Sequence, residues 1–205
     1  VAGLFAPVFS LQISTGCEHS AIIKNDSSLW VTGGGKMGKL GNGSTVDIGV
    51  LQKIGLATDK WIYVSAGCEV TSAIKSDGSL WSWGANGNYQ LGIGTLSEYE
   101  TTPRLVSNGP WKKVSVGLSH TANNHYLAID TSGALWAWGS NHFGQLGMGT
   151  SQTQENTPVK SPSLIKWRNI AVGLEFSVGL SIEGELYTWG NNTHGNLGYG
   201  TSDAV

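Results

Sequence analysis

The 205-residue sequence predicts an all-β repeat architecture, a solenoid or a propeller, and three observations carry that expectation. One unit of about fifty residues recurs four times. Short β-prone runs inside each unit are separated by tight-turn signals. All nine tryptophans fall into three columns of the repeat.

The unit shows most plainly in its glycine-rich segment, "LWSWGANGNYQLGIGT" from Leu80, "LWAWGSNHFGQLGMGT" from Leu135, "LYTWGNNTHGNLGYGT" from Leu186 and a degraded copy, "LWVTGGGKMGKLGNGS", from Leu29. The register leucines are spaced by 51, 55 and 51 residues. Ahead of each lies an alternating run, "SLQISTG", "WIYVSAG", "WKKVSVG" or "WRNIAVG", ending at Gly16, Gly67, Gly117 or Gly173. Such alternation reads as a half-buried strand. A second strand follows, "TSAIKS" in the second unit, and then Asp77-Gly78. Asp-Gly between two β-prone runs marks a hairpin, because glycine accepts the positive φ of a tight turn. Gly133 and Gly184 hold the same place, and Ser27 stands there in the first unit beside Asp26.

Trp81 and Trp83 lie two apart on the third strand, so both face one side of the sheet while Leu80 and Ser82 face the other. Large apolar groups on both faces call for cover on both, as when sheets stack on neighbouring sheets. The columns Trp61, Trp111, Trp167; Trp30, Trp81, Trp136; and Trp83, Trp138, Trp189 give the tryptophans a packing role rather than that of a ligand cage.

The pattern W-x-x-V-x-x-G-x-x-H, then D-G-x-L-W-x-W-G-x-N-x-x-G-Q-L-G-x-G-T, with Thr102-Pro103-Arg104-Leu105-Val106 in a connector, resembles the regulator of chromosome condensation repeat from Ser10 to Thr201. That resemblance implies a β-propeller of four-stranded antiparallel blades, usually seven in a closed ring. Four repeats are present, approximately 10–60, 61–110, 111–166 and 167–205 of a single repeat domain spanning 1–205. A partial or open propeller, or part of a larger one, is therefore expected.

Composition excludes several function classes. Only 13% of residues are charged, and the net charge of -2 leaves no basic footprint for nucleic acid or an anionic membrane. No apolar run reaches the roughly 18 residues of a membrane span. "VAGLFAPVF" is too short and uncharged for a full secretory signal. The chain opens on Val1, as a processed product or an excerpt of a longer protein would.

Several stretches imitate functional motifs. "GGGKMGKL", Gly33 to Leu40, matches most of a phosphate-binding loop, but Leu40 stands where Ser or Thr would hold magnesium and no amphipathic helix follows. His19 and His120 share a column with Val70 and Phe176, which have no acid-base chemistry, so buried imidazoles bonded to neighbouring backbone are expected. His142 and His194 have no recurrent carboxylate partner. No metal-ligand cluster, nucleophile elbow or carboxylate pair emerges, so no catalytic residue, metal or cofactor is assigned. Cys17 and Cys68 occupy a column filled elsewhere by Leu118 and Leu174, and that exchange favours free thiols.

One departure from the period stands out. The column glycine precedes the column leucine by 13 residues in three units and by 18 between Gly117 and Leu135. The extra residues are placed around Ala122 to Tyr126, in a bulge or protruding loop, with Asn124, His125 and Tyr126 as candidate partner-binding residues. Asn86, Asn141 and Asn192 are expected to bond local backbone groups and make the glycine-rich segment a turn-forming element. Function is then expected on variable loops, as a non-enzymatic protein-binding or scaffold module. Its partners would be a protein or neighbouring chains of an assembly, self-association included, with no nucleic acid and no membrane insertion. Composition favours a prokaryotic surface or virion component. The family resemblance offers guanine-nucleotide exchange or chromatin binding as the alternative.

Overall fold

The computed structural model describes residues 12–119, 124–149 and 152–200. Successive antiparallel sheets are built from chain segments that follow one another without crossover. The first blade consists of β1 (Gln12–Thr15), β2 (His19–Ile23), β3 (Leu29–Gly33) and β4 (Ile48–Ile54). The second holds β5 (Trp61–Ala66), β6 (Val70–Lys75), β7 (Leu80–Ala85) and β8 (Tyr99–Ser107). The third holds β9 (Trp111–Val116), β10 (His125–Asp130), β11 (Leu135–Ser140) and β12 (Gln154–Lys160). The fourth holds β13 (Trp167–Val172), β14 (Phe176–Ser181) and β15 (Leu186–Gly190), three strands among the described residues. First strands stand side by side, β1 against β5, β5 against β9 and β9 against β13, and form the inner edge of an open propeller arc.

The cores lie between blades, where two-sided apolar strands require them. Leu29, Val31 and Leu40 of the first blade pack with Trp61, Val64 and Trp83 of the second. Leu80 and Leu91 pack with Trp111, Val114 and Trp138, and Leu135 and Leu146 with Trp167 and Ile170. The glycine-rich segment is part of this packing. A Cβ placed on Gly41, Gly92 or Gly147, each at positive φ, would meet the indole nitrogen of Trp83, Trp138 or Trp189 in the next blade at 2.5, 2.5 and 2.8 Å. Asn86, Asn141 and Asn192 accept the backbone N–H of Leu91, Leu146 and Leu197 and so fold each loop back on itself.

The hairpin turns of the first three blades are each braced by an aspartate, Asp26, Asp77 or Asp130. Asp26 Oδ1 accepts Ser28 N and Oγ, and Ser28 Oγ accepts Trp30 Nε1; Asp77, Ser79 and Trp81 repeat the arrangement. Ser27 adopts the left-handed backbone, φ 66°, that Gly78, Gly133 and Gly184 adopt in the other turns.

Two expectations are corrected. Asn124, His125 and Tyr126 are buried and do not form a protruding loop. His125 opens β10 opposite Gly139, the register that His19 keeps opposite Gly33. The extra residues therefore lie between Gly117 and His125, and His125 rather than His120 matches His19. Taking the first histidine after the column glycine as the anchor displaced the insertion into the strand. His120 and Ala122-Asn123 lie outside the described residues. Asn124 closes the base of the insertion, its side chain accepting Ser119 N and donating to Ser119 O, both at 3.0 Å. The second correction is that Cys17 and Cys68 form a disulfide, with Cα atoms 4.5 Å apart, because inner-strand ends converge where β1 meets β5.

Candidate functional site

The polar residues with the greatest chemical potential converge on the seams between blades. At the first seam His19 Nε2 lies 2.7 Å from Thr71 Oγ1, and that hydroxyl donates to the Lys39 carbonyl at 2.8 Å. Since the hydroxyl proton goes to the carbonyl, Thr71 accepts from Nε2–H, which fixes the histidine as the neutral Nε2-protonated tautomer. Trp83 Nε1 donates to the same carbonyl. The third seam repeats the set: His125 Nε2 meets Ser177 Oγ at 2.8 Å, and both Ser177 Oγ and Trp189 Nε1 donate to the Gln145 carbonyl at 2.8 Å. The imidazoles thus bond a hydroxyl of the following blade rather than local backbone.

The second seam is built differently. Val70 replaces the histidine, and Tyr126 stacks on Trp138 with ring centroids 5.2 Å apart. Burial pushes the Tyr126 hydroxyl well above its ordinary range.

Burial lowers His19 to about 4, with nearby Lys39 acting in the same direction, and lowers His125 to about 3. Enclosed neutral rings of this kind hold blades together and have no opening to a substrate. Lys39, from the stretch that imitates a phosphate loop, is equally committed: its amine donates to Glu18 at 2.8 Å and Glu69 at 3.1 Å with the side chain fully buried. Burial pulls this amine down, but the two carboxylates outweigh it and hold it above its ordinary value. A single 3-10 turn, Lys36–Gly38, replaces the helix that a phosphate site needs. Among the described residues no group of three or more His, Cys, Asp or Glu side chains is placed to hold a metal ion.

The accessible candidate is the end of the arc where β1–β2, β5–β6, β9–β10 and β13–β14 are joined and the glycine-rich loops emerge. Leu118 and Leu174 are exposed there in the column that Cys17 and Cys68 fill in the first two blades. Alongside lies a cleft of about 460 Å³ between the third and fourth blades, lined by His142, Phe143, Trp189 and Tyr199 among others. The sequence columns gave Leu118 and Leu174 as apolar filling of the cysteine column and Trp189 as a packing residue, and did not single out the exposure of Leu118 and Leu174, which depends on where the inner strands end. No helix among the described residues is long and apolar enough to cross a membrane.

The regulator of chromosome condensation (RCC1) repeat model matches residues 77–122 and 132–180, and a second model of that repeat matches residues 167–196. The ultraviolet-B receptor UVR8 of Arabidopsis thaliana is 29% identical over 195 residues, covering 93% of this chain and 43% of the receptor. The human E3 ubiquitin-protein ligase HERC2 is 31% identical over 200 residues, 92% of this chain and 4% of the ligase. Mouse protein RCC2 is 35% identical over 142 residues, 66% of this chain and 26% of its own length. The chain thus spans less than half the length of these relatives. Among solved structures, yeast RCC1 (Prp20) bound to Kap60 superposes with a TM-score of 0.80 at 21% identity, covering 99% of this chain and 48% of that one. Repeat columns, inter-blade packing and family matches agree that the chain belongs to the regulator of chromosome condensation (RCC1) repeat family.

Proposed function

We propose that the chain is a non-enzymatic protein-binding module whose partner docks on the face carrying Leu118, Leu174 and the glycine-rich loops. The observation that carries this reading is the division of labour in the molecule. Its buried histidines and Lys39 are consumed in joining blades, whereas large apolar side chains are presented on loops of consecutive blades. Leu118, Phe143, Leu174 and Tyr199 supply apolar and aromatic area, and Glu18 and Glu175 supply polar surroundings. Such a mixture of apolar centre and polar rim suits a protein partner.

The second reading is guanine-nucleotide exchange or chromatin binding. It is supported by the relationship to protein RCC2 and by the fold likeness to Prp20p of Saccharomyces cerevisiae, whose structure is reported with its binding to Gsp1p and histones. A small GTPase loaded with fluorescent nucleotide and a purified nucleosome are the probes that separate the readings. Accelerated nucleotide release or nucleosome binding favours the second. For the first, a partner captured from the source organism is purified and titrated against the chain. Leu118→Asp with Leu174→Asp should weaken binding at least tenfold, about 1.4 kcal/mol, with the folded β signal intact. Unchanged affinity in that variant would remove this face from the proposal.

A further inference from the structure

The third blade inverts a charge that the first two share. At the end of the second strand, where the backbone bonds across the hairpin, stand Lys24, Lys75 and Asp130, their amides donating to the carbonyls of Ser28, Ser79 and Ala134. Both lysines lie over the tryptophan of the third strand. Lys24 Nζ is 3.5 Å from the centre of the Trp30 ring, and Lys75 Nζ is 4.1 Å from that of Trp81 and 5.0 Å from that of Trp61. The acid that balances Lys75 comes from the connector, Asp59 at 2.7 Å.

The third blade keeps the aromatic corner and loses the cation. Trp111 and Trp136 meet edge to face with ring centroids 5.3 Å apart, as Trp61 and Trp81 do at 6.5 Å. Two residues before the first tryptophan, Gly109 stands in place of Asp59. The result is a cleft of about 350 Å³ between the second and third blades, lined by Trp111, Trp136 and Asp130, with Val106, Pro110 and Pro158 as apolar walls. No lysine or arginine is among the described residues that line it. Lys160 is paired with Trp136 across the strands, but it is exposed and outside the lining.

The aspartate has room for a further donor. Its Oδ1 accepts Ser132 N, Ser132 Oγ and Ala134 N, whereas Oδ2 accepts Trp136 Nε1. A carboxylate oxygen carries two lone pairs, so Oδ2 keeps one. Burial raises the Asp130 carboxyl, but hydrogen bonds from Ser132 and Trp136 outweigh it and hold the group below the usual carboxylate range.

We infer that this cleft binds the ammonium of a lysine side chain from a partner protein, the charge that Lys75 supplies from within the second blade. The ammonium sits between the two indoles and Asp130 Oδ2, with its alkyl stem against the apolar walls. Cation–π attraction and a charge-assisted hydrogen bond act together there. The cleft opens at the hairpin-turn end of the blades, opposite the loop face, and the inference does not rest on that face.

Titration of the nitrogen-labelled full chain with Nα-acetyl-lysine methylamide, followed by NMR at the indole N–H signals, tests it. Nα-acetyl-norleucine methylamide is the control, an apolar stem without the charge. The Trp111 and Trp136 signals should shift saturably with the lysine probe, while those of Trp61 and Trp81, already covered by Lys75, should stay in place. Asp130→Asn should weaken binding about tenfold or more. The chain carrying Asp130→Lys, Ser132→Asp and Ala134→Ser copies Lys75, Asp77 and Ser79, so its turn stays braced and its own lysine fills the cleft. That chain should lose binding. Tetramethylammonium, a cation without a stem, should bind more weakly than the lysine probe, and equal or tighter binding would overturn the assignment to a side chain. No saturable shift at Trp111 and Trp136, an equal response to the norleucine probe, or undiminished binding in either variant overturns the inference.

Discussion

Acidification should open the seams before it protonates the carboxylates that brace the hairpin turns. His19 and His125 are held neutral by burial, at about 4 and about 3, against an ordinary value of 6.5. In the unfolded chain both rings take up protons as the pH falls below that ordinary value. The folded chain does not, so the unfolded state binds more protons and stability falls with falling pH. The contribution is complete above the ordinary histidine range and is lost progressively down to the depressed values. Between about pH 7 and about pH 5 the loss is about 2 kcal/mol per histidine, on the order of 4 kcal/mol for the pair. Asp26 and Asp77 are held below the usual carboxylate range by hydrogen bonds from Ser28 and Ser79, so their contribution is lost only at lower pH. Urea unfolding at a series of pH values, read at constant slope, measures the effect. In the chain carrying His19→Val and His125→Val, substitutions that copy Val70 of the second blade, the dependence across this window should largely disappear. Equal pH dependence in the two proteins would refute the assignment of neutral histidines to the seams.

Three further outcomes follow from individual contacts. Ser27→Gly relieves a left-handed backbone at a serine and should raise stability by about 1 kcal/mol, read as a higher urea midpoint. Cys17→Ser removes a bridge spanning 51 residues and should cost about 4 kcal/mol by the loop-entropy estimate; intact mass under alkylation should report no free thiol in the parent. Lys39→Ala leaves the mostly buried Glu69 without its cation and should cost about 3 kcal/mol or less, since Glu18 is solvent-screened. Lys39→Gln, the residue at positions 90 and 145, should cost less than Lys39→Ala in the same denaturation assay.

The strands and turns were legible because their determinants are local. Alternation sets which side chains share a face, Asp-Gly sets the turn, and a residue as large as tryptophan recurring at one register leaves few ways to bury it. Even the departure at Ser27 was visible as a missing glycine. The insertion before β10 was legible in length but not in place. His120 stands at the glycine-to-histidine spacing of the first unit and His125 does not, but it is His125 that pairs with Gly139. A strand reading of "HYLAID" against "HSAIIK" carries the same information, since each places apolar residues in the alternating register that burial on both faces requires. The disulfide was hidden for a related reason. Leucine in the same column shows that the site is apolar, but the separation of Cys17 from Cys68 depends on how closely β1 and β5 approach at the inner edge.

Residue type alone misdirects in a repeat protein because seams between blades need polar groups as well as apolar ones. A carbonyl such as that of Gln145 is cut off from water when the next blade closes over it, and it needs donors from that blade; Ser177 and Trp189 supply them. The serine hydroxyl then has lone pairs left to satisfy, and a neutral histidine supplies the N–H. Where Val70 takes the place of the histidine, Tyr126 takes the place of the small hydroxyl residue and stacks on Trp138. Histidine, serine and lysine in this chain consequently mark which blade faces fit together, and the loops that the seams leave free are the surface proposed for recognising a partner.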